Sequence, residues 1–204
     1  MNGTSPSQHK ARSESEVGYV WFHPARSAVT DVSALHSEHE RVARALDALS
    51  PEARLWRPDP DAWHAADVLE HLVKTEQVML RGVRRHLAAG DARRDLGAPA
   101  PEAAAALTAF LRSGRRTRVP TAAARWVAPE GAPYDGLRTE WDALPGLWRD
   151  ALREMPEGLK GVTLTIHPVA GPLTAEGVLT FLADHAHHHL GQLARLRAAP
   201  GFPA

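Results

Sequence analysis

The stretch ADHAHHHLGQL, residues 183–193, places four histidines within five positions of an otherwise amphipathic pattern. The chain has no cysteine, which excludes disulfides, zinc–thiolate centres and a catalytic thiol of its own. Any metal ion must be held by His, Asp or Glu. Residues four apart share one face of a helix, so His185 and His189 can both reach one cation at about 2.0–2.1 Å. The seam they interrupt otherwise runs Val178, Leu182 and Leu196, so both stand where the pattern wants leucine. His187 falls opposite this pair and is expected in solvent; His188, on the flank, could support the pair or replace His189. A basic patch does not account for the cluster, because neutral imidazole carries little charge at pH 7.

Two ligands do not make a site. In ADVLEHLVKTE, residues 66–76, His71 shares a stripe with Val68, Thr75 and Val78 at the margin of an apolar face. From there it can look toward a neighbouring helix. His39 competes for the role, Glu70 or Glu76 could add an oxygen, and His36 and His86 are weaker candidates. The bland alternative for each is a hydrogen-bonded core histidine.

These side chains need long helices to hold them, and the sequence supplies four. Val32, Leu35, His39, Val42, Leu46 and Leu49 alternate spacings of three and four from about Ser27 until Ser50-Pro51 ends the run. A second periodic stretch covers about 64–89, with Leu69, Leu72, Met79 and Val83 inward and Gly90 as C-terminal stop. A third, about 135–155, carries Leu137, Trp141, Leu144, Trp148, Ala151 and Met155, with Pro145 expected to bend it. The fourth spans about 174–198 behind Thr174, a good N-cap. Residues 91–133, rich in Ala, Pro and Arg, read as a long crossover between helices 2 and 3 with one short helix near 101–113. A short extended piece is expected at 162–166. The fold class is therefore all-α, a four-helix bundle. One domain over 27–199 is expected, preceded by a flexible extension over 1–26 that Tyr19, Val20, Trp21 and Phe22 could anchor.

Trp63 followed by HAADVLEHL, the loop HPVAGPLT and the run DHAHHHLGQL together resemble the DinB/YfiT-like family of four-helix-bundle metalloproteins, over roughly residues 28–198. The resemblance implies a divalent metal held by one histidine of the second helix and two of the last, which fall on His71, His185 and His189. Trp63, His167, Pro168, Gly171, Pro172, Leu173 and Gln192 match the accompanying pattern. His64 departs from it, standing where a Ser or Thr cap is usual. Family members commonly form homodimers, for which Trp126, Val127 and Tyr134 could provide exposed apolar surface.

Three neutral imidazoles leave a divalent charge uncompensated and a coordination position open, the mark of a catalytic site. Zinc is the first expectation, with Ni, Fe or Mn also acceptable to imidazole. The resemblance implies metal-dependent S-transfer with a low-molecular-weight thiol such as bacillithiol or mycothiol as cosubstrate and a small electrophile as partner. A metal-dependent hydrolase, with metal-bound hydroxide as nucleophile and Asp67 or Asp184 near it, is the alternative; a non-catalytic, metal-stabilised stress-response protein is the third reading. The run RSGRRTR, residues 112–118, is ordinarily a solvated loop, but could dock an anionic cosubstrate.

Lys+Arg and Asp+Glu both number 24, which removes the electrostatic footprint of a nucleic-acid binder. No run approaches the ~20 apolar residues of a membrane span, and the polar start lacks a signal-peptide core, so the cytoplasm is expected.

Overall fold

The computed structural model describes residues 31–90, 95–159 and 161–203. Four long helices form the bundle: α1 (Ser33–Asp47), α3 (Ala65–Ala88), α6 (Tyr134–Arg153) and α7 (Ala175–Arg197). Between α1 and α3 lies one short helix, α2 (Pro51–Leu55), capped by Ser50, whose hydroxyl accepts from the Ala53 N–H. The proposed extension over 1–26 and the first residues of the helix expected from Ser27 lie outside the described residues.

The local signals act where the spacing places them. α3 begins at Ala65 because His64 takes the part of the missing Ser or Thr. The Asp67 N–H donates to His64 Nδ1, and the His64 N–H donates back to the Asp67 carboxylate, a reciprocal capping box. Its C-terminal stop is Gly90, at φ 52°. Thr174 Oγ1 caps α7 through the Gly177 N–H. α6 runs through Pro145, whose ring is buried.

Two apolar clusters fill the bundle with a polar layer between them. One joins Leu35 of α1, Met79, Leu80 and Val83 of α3, Trp148 of α6 and the first half of α7. The other joins Val42 and Leu46, Val68 to Val73, Trp141 and Leu144, and the second half of α7. His39, His71, Thr75, Glu76, Asp184, His185, His188 and His189 are all buried in the stretches between. Most of the buried polar residues thus lie between the two apolar clusters.

The crossover from α3 to α6 carries two helices. α4 (Pro101–Arg112) falls where one was expected and packs on α7, while α5 (Thr121–Val127), not foreseen in the Ala-rich run, packs on α3. The extended piece lies slightly later than expected. β1 (Thr165–His167) pairs antiparallel with β2 (Gly171–Leu173), with Gly171 at φ 71° closing the turn. Gly82 lets this hairpin approach α3, since a Cβ there would lie 3.0 Å from Thr165 Oγ1.

Candidate metal centre

His71 of α3 and His185 and His189 of α7 converge. His71 Nε2 and His189 Nε2 each lie 3.1 Å from His185 Nε2, and all three side chains are buried. Their outer nitrogens decide what these inner atoms present. His71 donates from Nδ1 to the Val127 carbonyl at 2.9 Å, and His189 donates from Nδ1 to Gln192 Oε1 at 2.8 Å. A neutral imidazole that donates from Nδ1 keeps a lone pair on Nε2, so two lone pairs point at the third ring. His185 can supply at most one N–H between them, and its own Nδ1 is buried without a partner. Bare, at least one of the two contacts lacks a proton; a cation resolves this. The residues therefore fit one divalent ion, and among the described residues no other group of His, Asp and Glu comes together in this way.

Burial also sets the protonation state. It is the main cause that pushes His71 down to about 4 and His185 and His189 well below the ordinary imidazole value, with mutual repulsion adding to it at the last two. All three are thus neutral and able to ligate at physiological pH.

The other candidates are engaged elsewhere. His39 stacks on Trp141 at 3.6 Å and donates from Nε2 to Glu76 Oε1 at 2.6 Å, while Trp148 Nε1 donates to the other carboxylate oxygen. This is the hydrogen-bonded core histidine of the bland reading, and it consumes Glu76. Glu70 accepts from the N–H groups of Glu130, Gly131 and Ala132 and pairs with Lys74. Burial alone would raise its carboxyl, but Lys74 and the backbone donors outweigh that and hold it low. Asp67 caps α3, and Asp184, buried, pairs with Arg112 at 2.5 Å. His187 is part-exposed beside Glu38 and Arg41, and His36 is exposed beside Glu40. His188 donates from Nδ1 to the Leu111 carbonyl beside the site.

The triad lines a cavity of about 1390 Å³. Its walls are largely apolar, including Val78, Met79, Leu107, Phe110 and Phe181, with Trp63 5.0 Å from the His71 ring. Trp126 lines it while remaining 58% exposed; Val127, expected at the surface, is buried, and its carbonyl is the partner of His71. Tyr134 is likewise half-buried, its ring under Arg54. His167 lines the cavity too, and its Nδ1 accepts from the Val169 and Ala170 N–H groups. No sequence signal predicted that α5 would close over the triad, although the expected crossover marked the segment that does so.

Fold and site together define a four-helix bundle with a long crossover and a buried trihistidine cluster open to a cavity. A model of the DinB superfamily matches residues 34–193, and the chain belongs to that superfamily. Among solved structures it is similar to YfiT from Bacillus subtilis, described as "a probable metal-dependent hydrolase with an unusual four-helix bundle topology". That match has a TM-score of 0.57 and 16% identity over 84% of this chain and 86% of that one, which bears on the fold. No curated protein matches the chain. Among the described residues no helix is long and apolar enough to cross a membrane.

Proposed function

We propose that His71, His185 and His189 hold one divalent metal ion, zinc first among the metals imidazole accepts, and that the site catalyses S-transfer from a low-molecular-weight thiol to a small electrophile. The observation that carries this is the convergence of three Nε2 atoms on one point at the wall of a large apolar cavity. Such an ion, when bound, supplies an open Lewis-acid position that lowers the pKa of a thiol or a water. A thiol starts near 8.5 and water near 15.7, so a thiol needs far less help to ionise at about neutral pH. Of the carboxylates near the ligands in sequence, Glu70 is held by three backbone N–H groups and Lys74, Asp67 caps a helix, and Asp184 pairs with Arg112 through one oxygen while its other oxygen is buried without a partner. In the transfer the thiol sulfur bonds to the electrophilic carbon, the leaving group departs with its electron pair, and the thiol proton passes to solvent. Val127 and Gln192 hold the imidazole tautomers, and the apolar walls exclude water from the reacting carbon.

Hydrolysis is the second reading, favoured by the description of YfiT and by neutral His188 beside the triad. The chain is proposed to work in the cytoplasm, and as a homodimer that covers exposed apolar residues such as Trp126, Ile166 and Val169.

Metal analysis by mass spectrometry on dialysed, untagged protein is expected to find one ion per chain, lost on His71→Ala and on His189→Ala. Metallated protein should then consume a model electrophile only when a thiol is added. Ester hydrolysis without thiol would transfer the assignment to the hydrolase, and metal binding with neither activity would leave a metal-stabilised bundle.

A further inference from the structure

The hairpin of β1 and β2 contributes nothing to the triad, yet Thr165 to Val169 line the same cavity. His167 ends β1 and sits half-buried there, its ring 4.3 Å from the Phe181 ring, which in turn stacks 5.3 Å from His185. One phenyl ring therefore stands between it and the metal centre. The turn that follows fixes its proton. The Val169 and Ala170 N–H groups donate to Nδ1 at 3.1 and 3.0 Å, so the lone pair of that nitrogen is committed and it carries no hydrogen. Burial, which pushes the group down to about 4, keeps the ring neutral at physiological pH. A neutral imidazole has one N–H, and here it must be at Nε2.

Other histidines of the cavity are held the opposite way. His71, His188 and His189 spend the Nδ1 proton on the oxygens of Val127, Leu111 and Gln192, which leaves the lone pair on Nε2. His185 turns its Nε2 to its two partners in the triad. Among the described residues, His167 is thus the cavity histidine that the backbone fixes as an Nε2–H donor. That nitrogen has no partner among the described residues, and protein does not seal it in as it seals Nδ1 of His39 and of His185. Its cavity neighbours Ile166, Pro168, Val169 and Phe181 have no side-chain acceptor to give it. A donor in such a wall is unfavourable until an acceptor oxygen meets it.

We propose that His167 is a substrate-binding donor, so that the electrophile is an uncharged carbonyl compound with an apolar body, its oxygen on Nε2–H and its body along Phe181 toward the histidines. A neutral donor in apolar walls has no charge with which to offset the desolvation of an anion, and so selects a neutral oxygen. A carbonyl fits best because the oxygen that accepts the bond also makes its carbon open to attack. As the sulfur pair forms the C–S bond at that carbon, the carbonyl π pair moves onto the oxygen, where the hydrogen bond strengthens; it returns as the leaving group departs with its own pair. The proton stays on Nε2 throughout. This names the substrate class of the site and rests on the reading above for its catalytic meaning. The hydrogen bond itself does not require metal.

The test is titration of metal-free, full-length protein with methyl naphthyl ketone and with isopropenylnaphthalene, in which a methylene group replaces the oxygen. The alkene reports how the cavity takes the body, so the ratio of the two affinities isolates the oxygen. That ratio should fall roughly threefold to tenfold in favour of the alkene in His167→Asn, the scale of one net hydrogen bond. Asparagine keeps an acceptor for the turn but ends short of the Nε2 position. Glutamine reaches that position with an N–H, so His167→Gln should retain part of the ratio, which separates the donor from the fold. The infrared carbonyl stretch of the bound ketone should lie at lower frequency in wild type than in His167→Asn. An unchanged ratio, equal loss in both variants, a carbonyl stretch that does not differ between wild type and His167→Asn, or no binding of either compound overturns the proposal. Failure of the metal reading looks different: no ion by mass spectrometry, with the ketone ratio and its dependence on His167 intact.

Discussion

His71 and His39 both stand on inward helix faces, and their different environments follow from which neighbours each meets. His71 finds two more imidazoles and a carbonyl; His39 finds a carboxylate and an indole face. His39 is therefore structural. Removing one member of a buried hydrogen-bonded pair typically costs about 3–5 kcal/mol, so Glu76→Ala should lower unfolding stability by about that much in urea denaturation while leaving metal stoichiometry unchanged. Loss of the metal instead would make Glu76 part of the site. His167 offers a pH test of its own. Burial pushes it down to about 4, and protonation would also cost Nδ1 its role as acceptor for two backbone N–H groups. With the folded pKa below the unfolded one, the stabilisation is full above about 6.5 and declines as pH falls from there toward 4. His167→Asn keeps an acceptor for the turn and removes the titration, so its melting temperature should fall less than wild type over that pH range.

At the scale of elements, α3 and the end of the crossover act as one piece. Glu70, His71 and Lys74 sit within little more than one helical turn and hold residues 127–132 through five hydrogen bonds and an ion pair, from Val127 and Ala128 to Glu130, Gly131 and Ala132. Glu70 thereby orients the carbonyl that sets the His71 tautomer, without touching the metal centre. Glu70→Ala should speed proteolytic cleavage in 113–132 and weaken metal affinity by roughly 10–100-fold, the usual scale for losing an outer partner of a ligand. Unchanged cleavage with unchanged affinity would show that α5 is held by its apolar contacts alone.

For the molecule as a whole, two apolar clusters are joined across a layer of buried polar groups, and three of those groups face one another with at most one proton between them. An ion there binds the folded chain and not the unfolded one. At about one hundred times its dissociation constant it should add roughly 2.7 kcal/mol of stability, several degrees in melting temperature for a chain of this size. Calorimetry with and without chelator reads this directly, and His189→Ala should abolish the difference.

The periodicity of the four long helices, the cap at Thr174, and the spacing of His185 and His189 are local properties, and the sequence by itself determined them, whereas the His64 cap, a departure from the usual Ser or Thr, emerged only in the structure. The all-α class was likewise determined by the sequence, since nothing alternates for longer than one small hairpin. Local pattern could not tell His71 from His39, because both read as polar interruptions of an apolar stripe and their difference lies in residues far along the chain. Nor could it show that an Ala-rich run between prolines would become α5, whose packing against α3 compensates for weak helix signals. The tertiary structure alone decided that Val127 would be buried with its carbonyl on His71 and that Glu70 and Glu76 would be consumed by backbone and core. Each of these depends on which helices become neighbours, and that choice is made by burying all the apolar faces at once.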